Sequence, residues 1–181
     1  MARDDRRERF EAQVLQHLDA AYRYARWLAR SLHDAEDVVQ DALVRAYRSF
    51  EQLRAEDAKA WLLSIVRNCH LSAISQRQRQ RLQPLPEAGS GAPELVAADP
   101  GPEAQALERD EQRTLQRLLA VLPDEHREVL VLREVEDMNY REIAAITKVP
   151  IGTVMSRLAR ARASLRARWL EEQSGAPHGL C

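Results

Sequence analysis

The stretch NYREIAAITKVPIGTVMSRLARARASLRAR, residues 139–168, predicts two helices separated by a tight break. Asn139 is placed to cap the first helix, and Glu142, three residues on, to close a capping box. Pro150 has no backbone N–H and biases Val149 away from helical geometry, so the break is expected there. The spacing therefore predicts a short helix, a turn and a second, longer helix.

The second of these helices, beginning near Gly152 and Thr153, combines an apolar stripe with a basic remainder. The spacings of four, three and four predict that the buried residues are Val154, Leu158, Ala161 and Leu165. The other faces carry Ser156, Arg157, Arg160, Arg162, Arg166 and Arg168. This pattern is typical of a helix-turn-helix, which places a helix N-terminus in the DNA major groove. A helical hairpin with a solvated arginine face is the alternative.

Composition and charge favour an all-α protein of two parts. Aromatic residues make up only 5% of the 181 residues, and the central stretch 83–102 holds three of the six glycines and five of the eight prolines. Residues 1–81 carry 15 basic and 12 acidic side chains, residues 82–110 carry 1 and 6, and residues 111–181 carry 11 and 10. Two weakly basic blocks thus flank an acidic connector, and the local basic runs point to nucleic acid.

The cysteines and the hydropathy pattern point to a cytoplasmic protein without cofactors. No apolar run is long enough to cross a bilayer, and the arginine-rich N-terminus lacks the apolar core of a signal peptide. Cys69 shares a helical face with apolar residues, and Cys181 ends a Gly/Pro-rich tail. Because the two lack metal-ligand spacing, we expect neither a disulfide framework nor a metal site, and a buried thiol at Cys69.

The chain divides into two domains. We predict an N-terminal domain over 1–81, a flexible linker over 82–104, a second domain over 105–170 and a disordered tail over 171–181. The linker assignment depends on five prolines and three glycines between Gln83 and Pro102, without periodicity.

Apolar spacing predicts three helices in the N-terminal domain. The first is one long helix from Arg7 to Arg30, with one apolar stripe made of Val14, Leu18, Ala21, Ala25 and Leu28. The second is capped by Asp34 and runs to about Leu53. The third carries Trp61 inward and ends in the basic run QRQRQR at 76–81, which either is solvated or lies on phosphates. In the second domain, one helix stops at Pro123, and Asp124 caps the next, which buries Val129, Leu130, Leu132 and Val135.

An acidic polar strip lies on the second helix. Asp37, Gln40 and Asp41 are three and four residues apart, so they share a face opposite the apolar side. Paired carboxylates can bind metal or perform acid–base chemistry, but no histidine is in register with them and no glycine-rich loop lies beside them. A docking strip for a basic partner is the better interpretation.

Two long segments resemble a known family. DAEDVVQDALVRAY (34–47) with KAWLLSIVRN (59–68) resembles region 2 of the sigma-70 family, and LPDEHREVLVLREVEDMNYREIAAITKVPIGTVMSRLARARASLR (122–166) resembles region 4. With only these regions and a short linker, the chain resembles the extracytoplasmic-function (ECF, group 4) sigma factors of bacterial RNA polymerase. The resemblance covers most of residues 10–81 and 105–169.

The resemblance implies three binding surfaces. The strip Asp37, Gln40 and Asp41 would dock on the coiled coil of the polymerase β′ subunit. The −10 element, read through a flipped base, would be bound by the loop Leu53 to Lys59 and by the helix that follows. The candidates there are Leu53, Lys59, Trp61, Ser64, Arg67 and Asn68.

The third surface, in region 4, would read the −35 element. The matching positions are Arg133, Arg141, Thr153, Met155, Ser156, Arg157 and Arg160. Arginine suits guanine, because its fork matches O6 and N7. Met155 departs from the family, whose members usually carry lysine or arginine there, so we expect Arg160 to contribute more of the specificity.

The resemblance implies a promoter-specificity subunit and not an enzyme. Its partners would be the RNA polymerase core (β′ coiled coil and β flap), promoter DNA and an anti-sigma factor, with no membrane insertion. One alternative is a stand-alone transcription regulator, which leaves the acidic strip and the second basic helix unexplained. Another is a metal-dependent hydrolase using Asp34, Glu36, Asp37 and Asp41, for which the histidines His17, His33, His70 and His126 show no suitable register.

Overall fold

The computed structural model describes residues 2–29, 31–53, 57–81 and 118–175, excepting the side chains of residues 2–4, 81 and 172–175. Its N-terminal helices are α1 (Ala2–Gln13), α2 (Leu18–Leu28), α3 (Leu32–Ser49) and α4 (Ala58–Arg81), with 3₁₀ turns at Leu15–His17 and Phe50–Gln52. Its C-terminal helices are α5 (Asp124–Glu134), α6 (Tyr140–Thr147) and α7 (Ile151–Gly175). Over these ranges there is no strand, which confirms the all-α prediction.

Several predicted features fall outside the described ranges. These are the linker over 82–104, residues 54–56 of the −10 loop, and Cys181. Helix α7 continues to Gly175, into the segment predicted as the tail.

The prediction of one long first helix is wrong. Helix α1 ends at Gln13, and a 3₁₀ turn, closed by a 3.0 Å bond from the His17 amide to the Val14 carbonyl, separates it from α2. The turn lets α1 fold over the end of α3, where the Phe10 ring meets the Phe50 ring edge-on at 5.4 Å. Val14 is fully buried while Leu18, predicted on the same stripe, is 36% exposed. Tertiary packing overrides a periodic pattern here.

Both predicted aspartate caps are wrong, by three residues at Asp34 and by one residue at Asp124, where Pro123 is the N-cap. Ser31, with an extended backbone, caps α3, and its hydroxyl oxygen accepts a 3.1 Å bond from the Asp34 amide. Asp34 lies in the first turn and pairs instead with Arg77 of α4. Helix α5 begins at Asp124 itself, whose carboxylate pairs with Arg127 at 2.6 Å. At α3, serine and aspartate can both satisfy free amides at a helix start, so spacing alone does not choose between Ser31 and Asp34.

Helices α2, α3 and α4 pack on one another around a core that includes Tyr24, Ala35, Val39, Leu62, Leu63, Val66 and Cys69. Cys69 is buried as predicted, and burial raises the pKa of its thiol. A thiol in such surroundings is a poor nucleophile.

The helix-turn-helix is confirmed. The Asn139 side chain accepts bonds from the Arg141 and Glu142 amides at 2.9 and 3.0 Å, and the Glu142 carboxylate accepts from the Asn139 amide at 2.7 Å. Lys148 ends α6 in the left-handed conformation (φ 56°), after which Pro150 precedes α7. The predicted inner residues Val154, Leu158 and Ala161 are buried, and Leu165 is half-buried. On α5 the prediction fails for Val135, which is exposed while Val131 is buried.

Removing this capping box should destabilise the protein. We expect Asn139→Ala to lower the free energy of unfolding by about 1 kcal/mol, because the two amides bonded to Asn139 lose their acceptor. Thermal or urea unfolding followed by circular dichroism measures the change. Asn139→Ser, which retains a capping oxygen, is the control, and equal stability of the alanine and serine variants would contradict the prediction.

The N-terminal and C-terminal helices pack together. Helix α4 lies against α6, and α2 lies against α5, so buried residues of both groups form one continuous apolar core. The first helix of the helix-turn-helix is therefore in contact with the helix that carries the predicted −10 residues.

Candidate polymerase and nucleic-acid interfaces

The acidic strip on α3 is exposed as expected. The side chains of Asp37 and Asp41 are 60% and 72% exposed, and Gln40 is also exposed. Their nearest basic side chains lie within the same helix at long distances, His33 at 3.7 Å from Asp37 and Arg45 at 4.0 Å from Asp41. Exposed pairs of this kind contribute little to stability, so the carboxylates are free to meet a partner.

A shallow groove between α2 and α3 borders this strip. It is lined by Leu18, Asp19, Tyr22, Arg23, Glu36, Val39 and Gln40. Its apolar lining includes Leu18, which the sequence pattern predicted on the buried stripe and which the structure leaves exposed. Apolar area beside charged residues is a common composition for a protein-binding surface.

The predicted −10 residues lie on or beside α4. Leu53 and Trp61 are half-buried against the core, and the Ser64 hydroxyl donates to the Trp61 carbonyl at 2.7 Å. Lys59, Arg67 and Asn68 are partly buried as well. Each of the last three contacts a side chain or backbone group of the C-terminal half.

Two buried glutamates of the C-terminal half make the contacts to Lys59 and Arg67, and no sequence pattern marks them. Glu136 is fully buried, and Arg23 donates to its two oxygens at 3.0 Å each. Glu128 is buried and accepts from the Tyr24 hydroxyl at 2.8 Å and from Arg67 Nε at 2.7 Å. No local signal could have found them, because these partners lie between 61 and 113 positions away, in the other half of the chain.

Burial and the two carboxylates shift the pKa values of neighbouring groups. Burial, followed by the charge of Glu128, holds the pKa of Tyr24 well above its ordinary value. The hydrogen bond to Glu136 raises the pKa of Arg23. Burial lowers the pKa of His70, and Glu128 opposes this. The site thus favours a neutral tyrosine and a charged arginine beside the carboxylates.

The recognition helix α7 presents a mixed face at its N-terminal end. Met155, 52% exposed, and Ser156 point to solvent, and the Ser156 hydroxyl donates to the Thr153 carbonyl at 3.0 Å. Arg160 is exposed and makes no ion pair or hydrogen bond within the described part of the chain. Arg157 is only 16% exposed, because its guanidinium pairs with Glu125 of α5. The structure therefore favours Arg160 over Arg157 as the available base-reading arginine.

The two phosphate candidates outside α7 differ. Arg133 donates to the Met138 carbonyl at 2.9 Å, and its guanidinium lies 5.5 Å from the centre of the Tyr140 ring. These contacts hold the turn before α6. Arg141 is exposed on α6 and is the more available of the two.

The described residues hold neither a candidate metal site nor a helix that could span a membrane. They contain no group of three or more His, Cys, Asp and Glu residues placed to hold a metal ion. Among the helices of the same ranges, none is both long and apolar enough to span a membrane.

An all-α chain with a basic helix-turn-helix has the architecture of a DNA-binding transcription protein, and comparisons define the class further. Residues 13–80 match Sigma-70 region 2, and residues 112–165 match Sigma-70, region 4. The chain belongs to the sigma-70 family, a family of transcription regulators rather than enzymes, and within it to the ECF sigma factors.

Individual relatives agree. The chain is 38% identical over 153 residues to the ECF RNA polymerase sigma factor SigE of Mycolicibacterium smegmatis, covering 84% of this chain and 58% of the relative. It is 33% identical over 146 residues to the RNA polymerase sigma-H factor of Pseudomonas aeruginosa, covering 76% of each. It is 32% identical over 141 residues to the ECF RNA polymerase sigma-E factor of Escherichia coli K12, covering 73% and 72%.

Solved structures share the fold. The sigma factor RpoE of Bartonella quintana, solved in complex with the anti-sigma factor NepR, aligns with a TM-score of 0.69 at 27% identity, over 88% of this chain and 96% of that one. CnrH, solved in complex with the cytosolic domain of CnrY, aligns with a TM-score of 0.63 at 24% identity, over 94% and 91%. The second similarity supports the fold alone.

Proposed function

We propose that this chain binds the RNA polymerase core in the cytoplasm and directs it to a set of promoters as an alternative sigma factor. The observation that carries the proposal is the presence of both sigma-70 regions in order, at residues 13–80 and 112–165. The chain needs no catalytic residue or cofactor of its own, because the polymerase supplies the chemistry.

Each binding surface has a proposed target. The exposed strip Asp37, Gln40 and Asp41 docks on the β′ coiled coil, and region 4 also contacts the β flap. Helix α4 with the preceding loop reads the −10 element, where unpaired bases stack on flat apolar surfaces and arginine or lysine meets phosphates. The N-terminal part of α7 reads the −35 element in the major groove.

We also propose the domain division predicted from composition, with region 2 over 1–81, a linker over 82–104, region 4 over 105–170 and a tail over 171–181. Each domain alone should bind DNA weakly. Holding both on the polymerase raises their effective concentration at a promoter and imposes the spacing of the two elements.

An anti-sigma factor is the proposed inhibitor. The similarity to RpoE, which was solved with the anti-sigma factor NepR, supports this. The partner is expected to cover the polymerase-binding faces of both domains.

The test is reconstitution with purified bacterial core polymerase. We expect the chain to form a one-to-one complex with the core and to produce transcripts from promoters that the core alone does not use. The free chain should bind the same promoter DNA poorly. A folded chain that fails to bind core, or that gives a tight and specific footprint by itself, would favour the stand-alone regulator.

A further inference from the structure

The predicted −10 edge of α4 is occupied by the protein's own C-terminal half. Lys59 Nζ lies 2.6 Å from the Glu136 carbonyl oxygen and 3.2 Å from its carboxylate. Arg67 pairs with Glu128, and the Asn68 side-chain oxygen accepts a 3.0 Å bond from Lys148. Three side chains proposed to meet DNA thus already have partners.

Two of these partners, the carboxylates of Glu128 and Glu136, are anionic oxygen acceptors like the phosphates of DNA. Arginine and lysine recognise carboxylates and phosphates by the same charge-assisted hydrogen bonds. Glu128 and Glu136 present their oxygens to Arg67 and Lys59, at positions where a phosphate oxygen would satisfy the same donors. The Lys148 ammonium donates a hydrogen bond to the amide oxygen of Asn68. While this bond is made, the same oxygen is not available to a base edge.

The two carboxylates depend on the N-terminal half. Within the described residues, their side-chain hydrogen bonds and ion pairs all go to Arg23, Tyr24, Lys59 and Arg67 of α2 and α4. Buried carboxylates without partners are strongly unfavourable. The acids therefore fit the interior only when α5 and the residues after it lie against α2 and α4, and in a separated state they would be hydrated.

We propose that these contacts form an intramolecular lock, in which Glu128 and Glu136 replace single-stranded DNA on the α4 edge and hold the free chain closed. The proposal rests on the proposed −10 role of α4. Closing and DNA binding at this edge exclude each other, because they use the same nitrogen donors. The apolar contacts between the halves supply attraction, and the carboxylates fix which surface of α4 is covered.

The lock lowers the apparent affinity of the free chain for single-stranded DNA by the fraction of molecules that are open. Binding of the two domains to separate sites on polymerase would favour the open state, since a partner shifts an equilibrium towards the state it binds better. The lock therefore provides a physical reason for poor DNA binding by the free protein.

The test uses the full chain with Glu128→Gln/Glu136→Gln, which removes both charges but retains size. The matched control is Glu134→Gln/Glu171→Gln. It removes the same charge, from Glu134, which pairs with Arg162 inside the C-terminal half, and from the exposed Glu171. Energy transfer between dyes on Ala12→Cys and Ala167→Cys, in a Cys181→Ser background, measures closure, since Cys69 is buried and both label sites are exposed.

Affinity is measured with a fluorescent single-stranded DNA of random sequence. We expect the Glu128/Glu136 variant to lose energy transfer and to bind this DNA about tenfold more tightly, while the control matches the wild type. Lys148→Asn, at an exposed left-handed position that asparagine tolerates, should shift both measurements in the same direction by less. It keeps the test valid if the double variant does not fold.

Two results would overturn the lock. In one, energy transfer falls without a gain in DNA affinity, so that the contact is packing and does not compete with DNA. In the other, neither measurement changes in the folded variants. Reconstituted transcription separates this failure from failure of the proposed function, because transcription by the wild-type chain with core polymerase depends on the sigma role and not on closure of the free chain.

Discussion

Reversing the acidic strip with Asp37→Arg/Asp41→Arg is expected to weaken binding to core RNA polymerase by about a hundredfold or more. Placing like charges opposite each other at an interface costs several kcal/mol, and about 1.4 kcal/mol corresponds to tenfold in affinity. The change should spare the fold, because both carboxylates are exposed and pair only loosely within α3. Pulldown and biolayer interferometry with immobilised core would measure the loss.

The control for this variant is Glu8→Arg/Glu11→Arg on α1. Glu8 and Glu11 are exposed, and the double reversal changes the net charge by the same amount. We expect it to bind core like the wild type at moderate salt. Equal losses for both variants would assign the effect to overall charge, and retained binding by the α3 variant would place the polymerase contact elsewhere.

Removing the guanidinium of Arg160 from the recognition helix, with Arg160→Ala, is expected to reduce promoter-directed transcription about tenfold. One arginine fork on a guanine contributes about 1–3 kcal/mol of discrimination, and Arg160 has no competing partner within the described residues. Arg157→Ala should have a smaller effect, since Glu125 already holds that guanidinium. The promoters are obtained by selecting a randomised DNA pool with the wild-type holoenzyme.

Arg162→Ala is the matched control in the same assay. Arg162 lies on the same helix but pairs with Glu134 of α5, so its loss should leave promoter preference unchanged. Repeating the selection with the Arg160→Ala holoenzyme should show relaxed preference at one or two positions of the −35 element. An unchanged preference, or a larger effect from Arg162→Ala, would remove Arg160 from the base-reading surface.

The helix-turn-helix could be predicted from sequence because its determinants are local. Asn139 and Glu142 cap the same turn, and Pro150 ends the preceding segment regardless of what surrounds it. The acidic strip could also be predicted from the sequence, because Asp37, Gln40 and Asp41 are neighbours on one helix. Their exposure follows from the apolar residues on the opposite face.

Predictions failed where the local structure depends on contacts with a distant segment of the chain. The break at residues 14–17 has no proline or glycine to announce it, and it depends on the packing of Phe10 against the end of α3. Leu18 and Val135 are exposed although each belongs to a predicted apolar face. Periodicity identifies an apolar face, but which of its residues are covered depends on the neighbouring helices.

The sequence by itself determined the family, the all-α class, the helix-turn-helix and the charged strip, because motifs and helical spacing are properties of neighbouring residues. Only the tertiary structure decided that Glu128 and Glu136 are buried and that they hold Arg67 and Lys59. An acidic side chain is compatible with solvent until a partner from a distant part of the chain is brought beside it. Burial of that charge is then possible, because the partner supplies the hydrogen bonds that water would otherwise provide.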